Sequence, residues 1–204
     1  MKLRWILAAV SMALFCVQID YFAVNLALPR MASELDSTPA DLQWVISVYM
    51  LSLGAFMVPA GRIDDIFGRR RVLLAGVALF GLSSALCALA PSPTLLIAFR
   101  ALQGLGAALT FPVSVSVLTN AFPAARAGHA IGLAYGIAGL GNAAGPLIGG
   151  LLSDTAGWRW IFWLNVPLTL VSLAIGARCI TESSDETVPR RIDIAGLAET
   201  ACSR

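Results

Sequence analysis

Six long apolar runs separated by short polar stretches set the pattern of the chain. They are Trp5–Leu28, Leu42–Ala60, Val72–Ala90, Leu95–Leu118, His129–Leu152 and Arg159–Arg178. Each is close to or above the roughly 20 residues that an α-helix needs to cross a bilayer. A segment in lipid must satisfy its own backbone hydrogen bonds, so the runs predict six transmembrane helices. Between them lie the polar stretch Pro29–Asp41, the charged stretch Gly61–Arg71, a turn at Pro91–Thr94, and the short connections Asn120–Gly128 and Asp154–Trp158. Residues 1–180 therefore read as one six-span unit. Thr181–Arg191 is charged and polar, and 181–204 reads as a linker. Lys2 and Arg4 precede the first run, as in a signal peptide. That run is too long for a signal core, and no small-x-small cleavage site follows it, so it is read as an uncleaved span.

Composition supports the pattern. Of 204 residues, 58% are hydrophobic and 13% charged, against about one quarter charged in soluble domains. Mean hydropathy is +0.79. The fold class expected is an all-α polytopic membrane protein. The lipid bilayer is its first partner, and no nucleic-acid partner is expected. Cys16, Cys87, Cys179 and Cys202 have no metal-ligand spacing, and His129 is the one histidine. No metal site, no cofactor and no histidine-based triad are expected.

The net charge of +2 matters less than its distribution. With the N-terminus inside, Lys2, Arg4, Arg62, Arg69, Arg70, Arg71, Arg126, Arg178, Arg190 and Arg191 are cytoplasmic. Arg30 and Arg159 fall outside, and Arg100 lies within a span. Cytoplasmic loops carry the excess of Lys and Arg. The expectation is a multi-pass protein of the plasma (cytoplasmic) membrane with both termini cytoplasmic. Trp44, Trp158, Trp160 and Trp163 then form an outer aromatic belt, with Trp5 at the inner face.

Two charges stand at membrane depth. Asp20 is roughly 12 Å, and Arg100 roughly 8 Å, from the outer ends of their spans at 1.5 Å per residue. A charge near mid-bilayer costs about 3 kcal/mol on insertion scales, so such residues face an interior or a cavity and mark proton or ligand paths. Their similar depth permits an Asp20–Arg100 interaction. Asn25, Gln103, Asn142 and Asn165 also lie in the outer halves of their spans. Together they predict a polar cavity between the helices, open toward or near the outer side. The plainer reading of the amides is interhelical hydrogen bonding. His129 reads as a solvated helix start.

Several phrases resemble the major facilitator superfamily. Gly61-x-x-x-Asp65-x-x-Gly68-Arg69-Arg70 is similar to its loop between spans two and three, Gly-x-Leu-Ala-Asp-Arg-x-Gly-Arg-Arg/Lys. Asp64 stands where that pattern has a small alanine, and Ile66 where it has a basic residue. Gly61 and Gly68 are expected to turn the chain at helix ends, and the loop to gate the inner side. Arg100-x-x-Gln103-Gly104-x-Gly106 resembles the span-four motif that the superfamily links to proton coupling. A fixed cation favours the ionised form of a neighbouring carboxylate, so moving it away lets a proton load. Gly141-Asn142-Ala-Ala-Gly145-Pro146-Leu-Ile-Gly149-Gly150 resembles the span-five antiporter motif. Its glycines at i, i+4 give a face that another helix can approach closely, and Pro146 is expected to kink the helix. Ile19-Asp20-Tyr-Phe22-Ala-Val24-Asn25-Leu-Ala-Leu-Pro29, and the phrase Trp158–Pro167, resemble the fourteen-span drug:proton antiporters, with Phe22 in place of a hydroxyl residue.

The resemblance implies one half of a major facilitator fold, two inverted three-helix repeats, although no internal sequence repeat is visible. It implies proton-coupled export of a small amphipathic or cationic organic molecule, with protons and that molecule as partners. Arg191–Leu197 resembles the start of a seventh span. The expectation is a truncated product, with a fragment, or a half-transporter pairing with a second half or in a homodimer, as alternatives. A truncated, non-transporting membrane partner of a full transporter also stays open. An intramembrane serine protease lacks its Gly-x-Ser-x-Gly-like phrase and a histidine at depth. A water-channel architecture lacks its Asn-Pro-Ala turns.

Overall fold

The computed structural model describes residues 2–183. The stretch Arg191–Leu197, and most of the linker expected over 181–204, lie outside the described residues. Six helices follow one another: α1 (Lys2–Glu34), α2 (Pro39–Phe67), α3 (Arg69–Ala88), α4 (Pro93–Ala121), α5 (Ala124–Thr155) and α6 (Arg159–Cys179). All six are long and apolar enough to cross a membrane.

Local chemistry explains the ends. The Thr38 hydroxyl accepts from the Asp41 amide at 3.1 Å and starts α2. Ser92 accepts from the Leu95 amide at 3.4 Å and starts α4, with Pro93 at its first position. Both use the N-cap geometry that satisfies an orphan amide. Gly68, at φ +99°, makes the one-residue junction between α2 and α3.

Several helices outrun their apolar runs. Pro29 was expected to open a loop, yet α1 continues through it to Glu34. Packing accounts for the extra length. Met31 and Ala32 are buried in the core at that end, and the Glu34 carboxylate accepts from Trp158 Nε1 at 2.9 Å and Arg159 Nη1 at 2.8 Å. Trp158 is accordingly buried in the core rather than belted at the surface, whereas Trp44 and Trp160 are exposed. Gly61 was expected to turn the chain, yet it lies inside α2, which runs on to Phe67. The added turns pack Ile63 against the apolar cluster of Val113, Val117 and Leu118.

The packing shows the repeat that the sequence hides. Exchange α1 with α4, α2 with α5, and α3 with α6. The pair α1–α5 then maps onto α2–α4, α1–α6 onto α3–α4, α1–α2 onto α4–α5, and α2–α3 onto α5–α6. The pairs α1–α4 and α3–α6 map onto themselves. The bundle is thus two three-helix repeats packed in inverted fashion. The central helices α1 and α4 bury the largest share of their length, together with α3, whereas α2 and α5 bury the least. Leu51 and Val58 on α2, and Leu140, Leu147 and Leu151 on α5, stay exposed.

Candidate functional site: a buried charge cluster

The candidate site is a polar cluster assembled inside the bundle by five of the six helices. Asp20 on α1 is fully buried, and so are Arg100 and Gln103 on α4 and Asn165 on α6. Arg100 and Gln103 are three residues apart, so they share one face of their helix. Arg100 Nη1 donates to Asp20 Oδ2, closing a fully buried ion pair, and to Gln103 Oε1 at 2.8 Å. The second Asp20 oxygen accepts from Gln103 Nε2 at 3.1 Å and from Asn165 Nδ2 at 2.8 Å. Asn165 Nδ2 also reaches Ser84 Oγ on α3 at 3.1 Å, and that hydroxyl donates to the Phe162 carbonyl at 2.9 Å. Cys87 donates weakly to Gln103 Oε1 at 3.7 Å.

Helix α2 holds the cation from the side. Arg100 Nε donates to the Val45 carbonyl at 3.1 Å, and its guanidinium lies 4.1 Å from the centroid of the Tyr49 ring. Val45 and Tyr49 are one helical turn apart. Gly104 makes this approach possible, because a Cβ there would stand 2.9 Å from the Ser52 Cβ and run into the Tyr49 carbonyl. A buried ion pair is costly unless its remaining hydrogen-bonding capacity is met. Here Asp20 takes three donors. Arg100 Nη2, Tyr49 Oη and Asn165 Oδ1 are buried without a partner among the described residues.

Four of the six expected polar residues thus come together, and two do not. Asn25 is exposed and donates to the Tyr21 carbonyl of its own helix at 2.8 Å. Depth was similar, but five residues separate Asn25 from Asp20, which turns it about 140° around the helix. Asn142 is half-buried on α5, with its Oδ1 unpartnered. Nor does the cluster line an open cavity: Asp20, Arg100, Gln103 and Asn165 all have zero exposure. Sequence reasoning missed Val45, Tyr49, Ser84 and Cys87. A serine or cysteine in an apolar span is too common to signal anything, and a backbone carbonyl has no sequence signature. Only Tyr49, a polar tip at membrane depth, offered a faint one.

The glycine phrase of α5 packs against α1, behind Asp20. Gly141, Gly145 and Gly149 lie along one stripe over the α1 backbone. A Cβ on Gly149 would come within 2.6 Å of the Ala23 Cα. Gly150 has ordinary clearance, 3.5 Å from Leu26 Cδ2, and Pro146 sits inside the unbroken α5.

At the far end of α2, Asp65 accepts from Arg69 Nη2 at 3.0 Å across Gly68. The start of α3 is tied to the end of α6. The Arg69 amide donates to the Ser183 carbonyl at 2.9 Å, and the Arg70 amide to Glu182 Oε1 at 3.1 Å. Arg70 Nη2 donates to the Ala177 carbonyl at 2.7 Å, and Arg71 pairs with Glu182 at 3.5 Å. Glu182 therefore caps α3 as an N-terminal anion, a role that its place in a polar stretch did not announce. Among the described residues, no group of His, Cys, Asp and Glu is placed to hold a metal ion.

Residues 10–196 match the Major Facilitator Superfamily. The chain belongs to the Major Facilitator Superfamily. That superfamily is one of transporters rather than enzymes. The chain is 37% identical, over 94% of its length, to a tetracenomycin C resistance and export protein of Streptomyces glaucescens, of which it covers 36%. It is 40% identical, over 93% of its length, to the multidrug resistance protein Stp of Mycobacterium tuberculosis H37Rv, covering 35% of it. It is 31% identical, over 97%, to the riboflavin transporter RibZ of Clostridioides difficile, covering 43%. The chain therefore spans a little over one third of the length of these relatives. In fold it resembles a bacterial homologue of the human lysosomal transporter Spinster, with a TM-score of 0.74 at 19% identity, over 97% of this chain and 48% of that one. This major facilitator chain is thus similar in fold to about half of a solved transporter.

Proposed function

We propose that the chain is the N-terminal half of a proton-coupled exporter, of the kind found among fourteen-span drug:proton antiporters. One observation carries the reading: a carboxylate, Asp20, is buried at zero exposure against a single cation, Arg100. Gln103 and Asn165 hold the carboxylate in place. While Arg100 is seated, Asp20 has a counter-ion. A rearrangement that withdraws Arg100 leaves a bare buried anion, and taking up a proton is the low-energy answer. Alternating withdrawal and return of one guanidinium would couple proton movement to the conformational cycle. In this reading Asn25 and Asn142, outside the cluster, contact the organic substrate or a second six-helix unit. Gly61, Asp65, Gly68, Arg69 and Arg70 control closure at the charged end. Gly141, Gly145 and Gly149 keep α5 tight against the proton-carrying helix, and Pro146 and Gly150 shape the same phrase.

The charge distribution supports a plasma-membrane protein with both termini in the cytoplasm. The relatives' names speak of tetracenomycin C export, multidrug resistance and riboflavin transport, which fits a small, partly apolar organic cargo. A second reading, association with a further six-helix unit or a second copy, is favoured by the exposed apolar faces of α2 and α5. The deciding experiment replaces Asp20 by Asn in the complete transporter and measures proton-driven efflux of a fluorescent dye. Coupled efflux, normalised to the amount of folded transporter, should fall to background. Unchanged efflux would remove Asp20 from the coupling step.

A further inference from the structure

Asp64 is the acid of the Gly61–Arg71 segment that neither the charge cluster nor the Asp65–Arg69 pair explains. It stands four residues before the Gly68 junction, and its backbone carbonyl accepts from the Gly68 amide at 3.0 Å. Its side chain has zero exposure. Neither carboxylate oxygen has a hydrogen-bond partner among the described residues. Its neighbour Ile63 packs into the apolar cluster formed with α4. The charged groups that act on Asp64 are Asp65 on its own helix and Arg69 at the start of α3. Arg69 is already paired with Asp65. The Ser116 hydroxyl on α4 and the Asp65 backbone amide approach the carboxyl group without reaching hydrogen-bond geometry.

An anion in this position would give up its hydration for only the poorly aligned Ser116 hydroxyl and Asp65 amide. A carboxylic acid there carries no charge and needs only a neutral hydroxyl such as Ser116 for company. Asp64 is also remote from the charge cluster. Fifteen residues of α2 separate it from Tyr49, roughly 22 Å along the helix.

We infer that Asp64 is a second proton-binding site, protonated while the charged end of α2 is packed on α4 and ionised when that end opens to solvent. The proton moves between the carboxyl oxygen and water at that end, and no other reactant is needed. Proton binding then favours the packed arrangement. The Asp65–Arg69 pair lies at the same junction. The inference concerns this site alone and stands apart from the transport reading.

The test is infrared difference spectroscopy on the purified full chain in nanodiscs at neutral pH. The wild type should show the carbonyl band of a protonated carboxyl group. Asp64→Asn should remove it, whereas Asp20→Asn should leave it. Absence of the band, or its loss only in Asp20→Asn, overturns the assignment. Asp64→Ala installs the small residue of the related pattern and guards against misfolding of the amide variant. A proton held only in the packed state stabilises at low pH and loses that effect as pH rises, so the melting temperature of the wild type relative to Asp64→Ala should fall as pH rises above the ordinary carboxylate value of about 4. A constant difference across that range also overturns the inference.

Discussion

Arg100 donates through one nitrogen to both Asp20 and Gln103, reaching Asp20 from a helix eighty residues further along the chain. The second oxygen of Asp20 is taken by the amides of Gln103 and Asn165. The cluster is thus a shared knot among helices that are separate in sequence, and its parts should not behave independently.

Removing one member of the buried pair should cost far more than removing both. Arg100→Gln alone leaves a buried carboxylate without its counter-ion, a loss of about 3–5 kcal/mol. The double variant Asp20→Asn with Arg100→Gln should lose less than the sum of the single variants. Chemical unfolding in detergent measures this. Additive losses would mean that the two residues are not coupled.

Tyr49 should act through its ring rather than its hydroxyl. The ring lies under the Arg100 guanidinium, while the hydroxyl is buried without a partner among the described residues. Tyr49→Phe keeps the cation–π contact and should be neutral or slightly stabilising. Tyr49→Leu should lose about 0.5–2 kcal/mol. Equal losses in the two variants would assign the role to the hydroxyl.

Glycines on α5 should divide by what faces them. Gly149→Val must push α5 off the α1 backbone, at a cost of about 1–3 kcal/mol by overpacking. Gly132 has nothing within 4 Å of a Cβ, so Gly132→Ala should raise stability by up to about 1 kcal/mol through helix propensity. Melting temperatures of the two variants provide the comparison. A destabilising Gly132→Ala would mean that the open face is covered in the protein as it occurs.

The Asp65–Arg69 pair should matter little for stability. Both side chains are partly exposed, and such pairs contribute about 0–1 kcal/mol. Asp65→Asn should therefore melt close to the wild type. In the complete transporter, the same substitution should change efflux if the junction controls closure. A large drop in melting temperature would show instead that the pair is a structural clamp.

The sequence by itself determined the six spans, the charge asymmetry, and the kind of residue that must be buried in company. Apolar length and the cost of bare charge in lipid act locally, so Asp20 and Arg100 stand out in the string of residues alone. Their depths follow from the rise per residue. Tertiary structure alone decided which depths met. The facing direction of a side chain depends on the turn of its helix against its neighbours, so Gln103 and Asn165 joined the knot while Asn25 pointed away. It also decided where helices end, because Met31 and Ile63 extend α1 and α2 by packing against residues far along the chain. The inverted repeat is visible only in which helices touch, since close packing constrains surface shape and leaves the side chains free to differ.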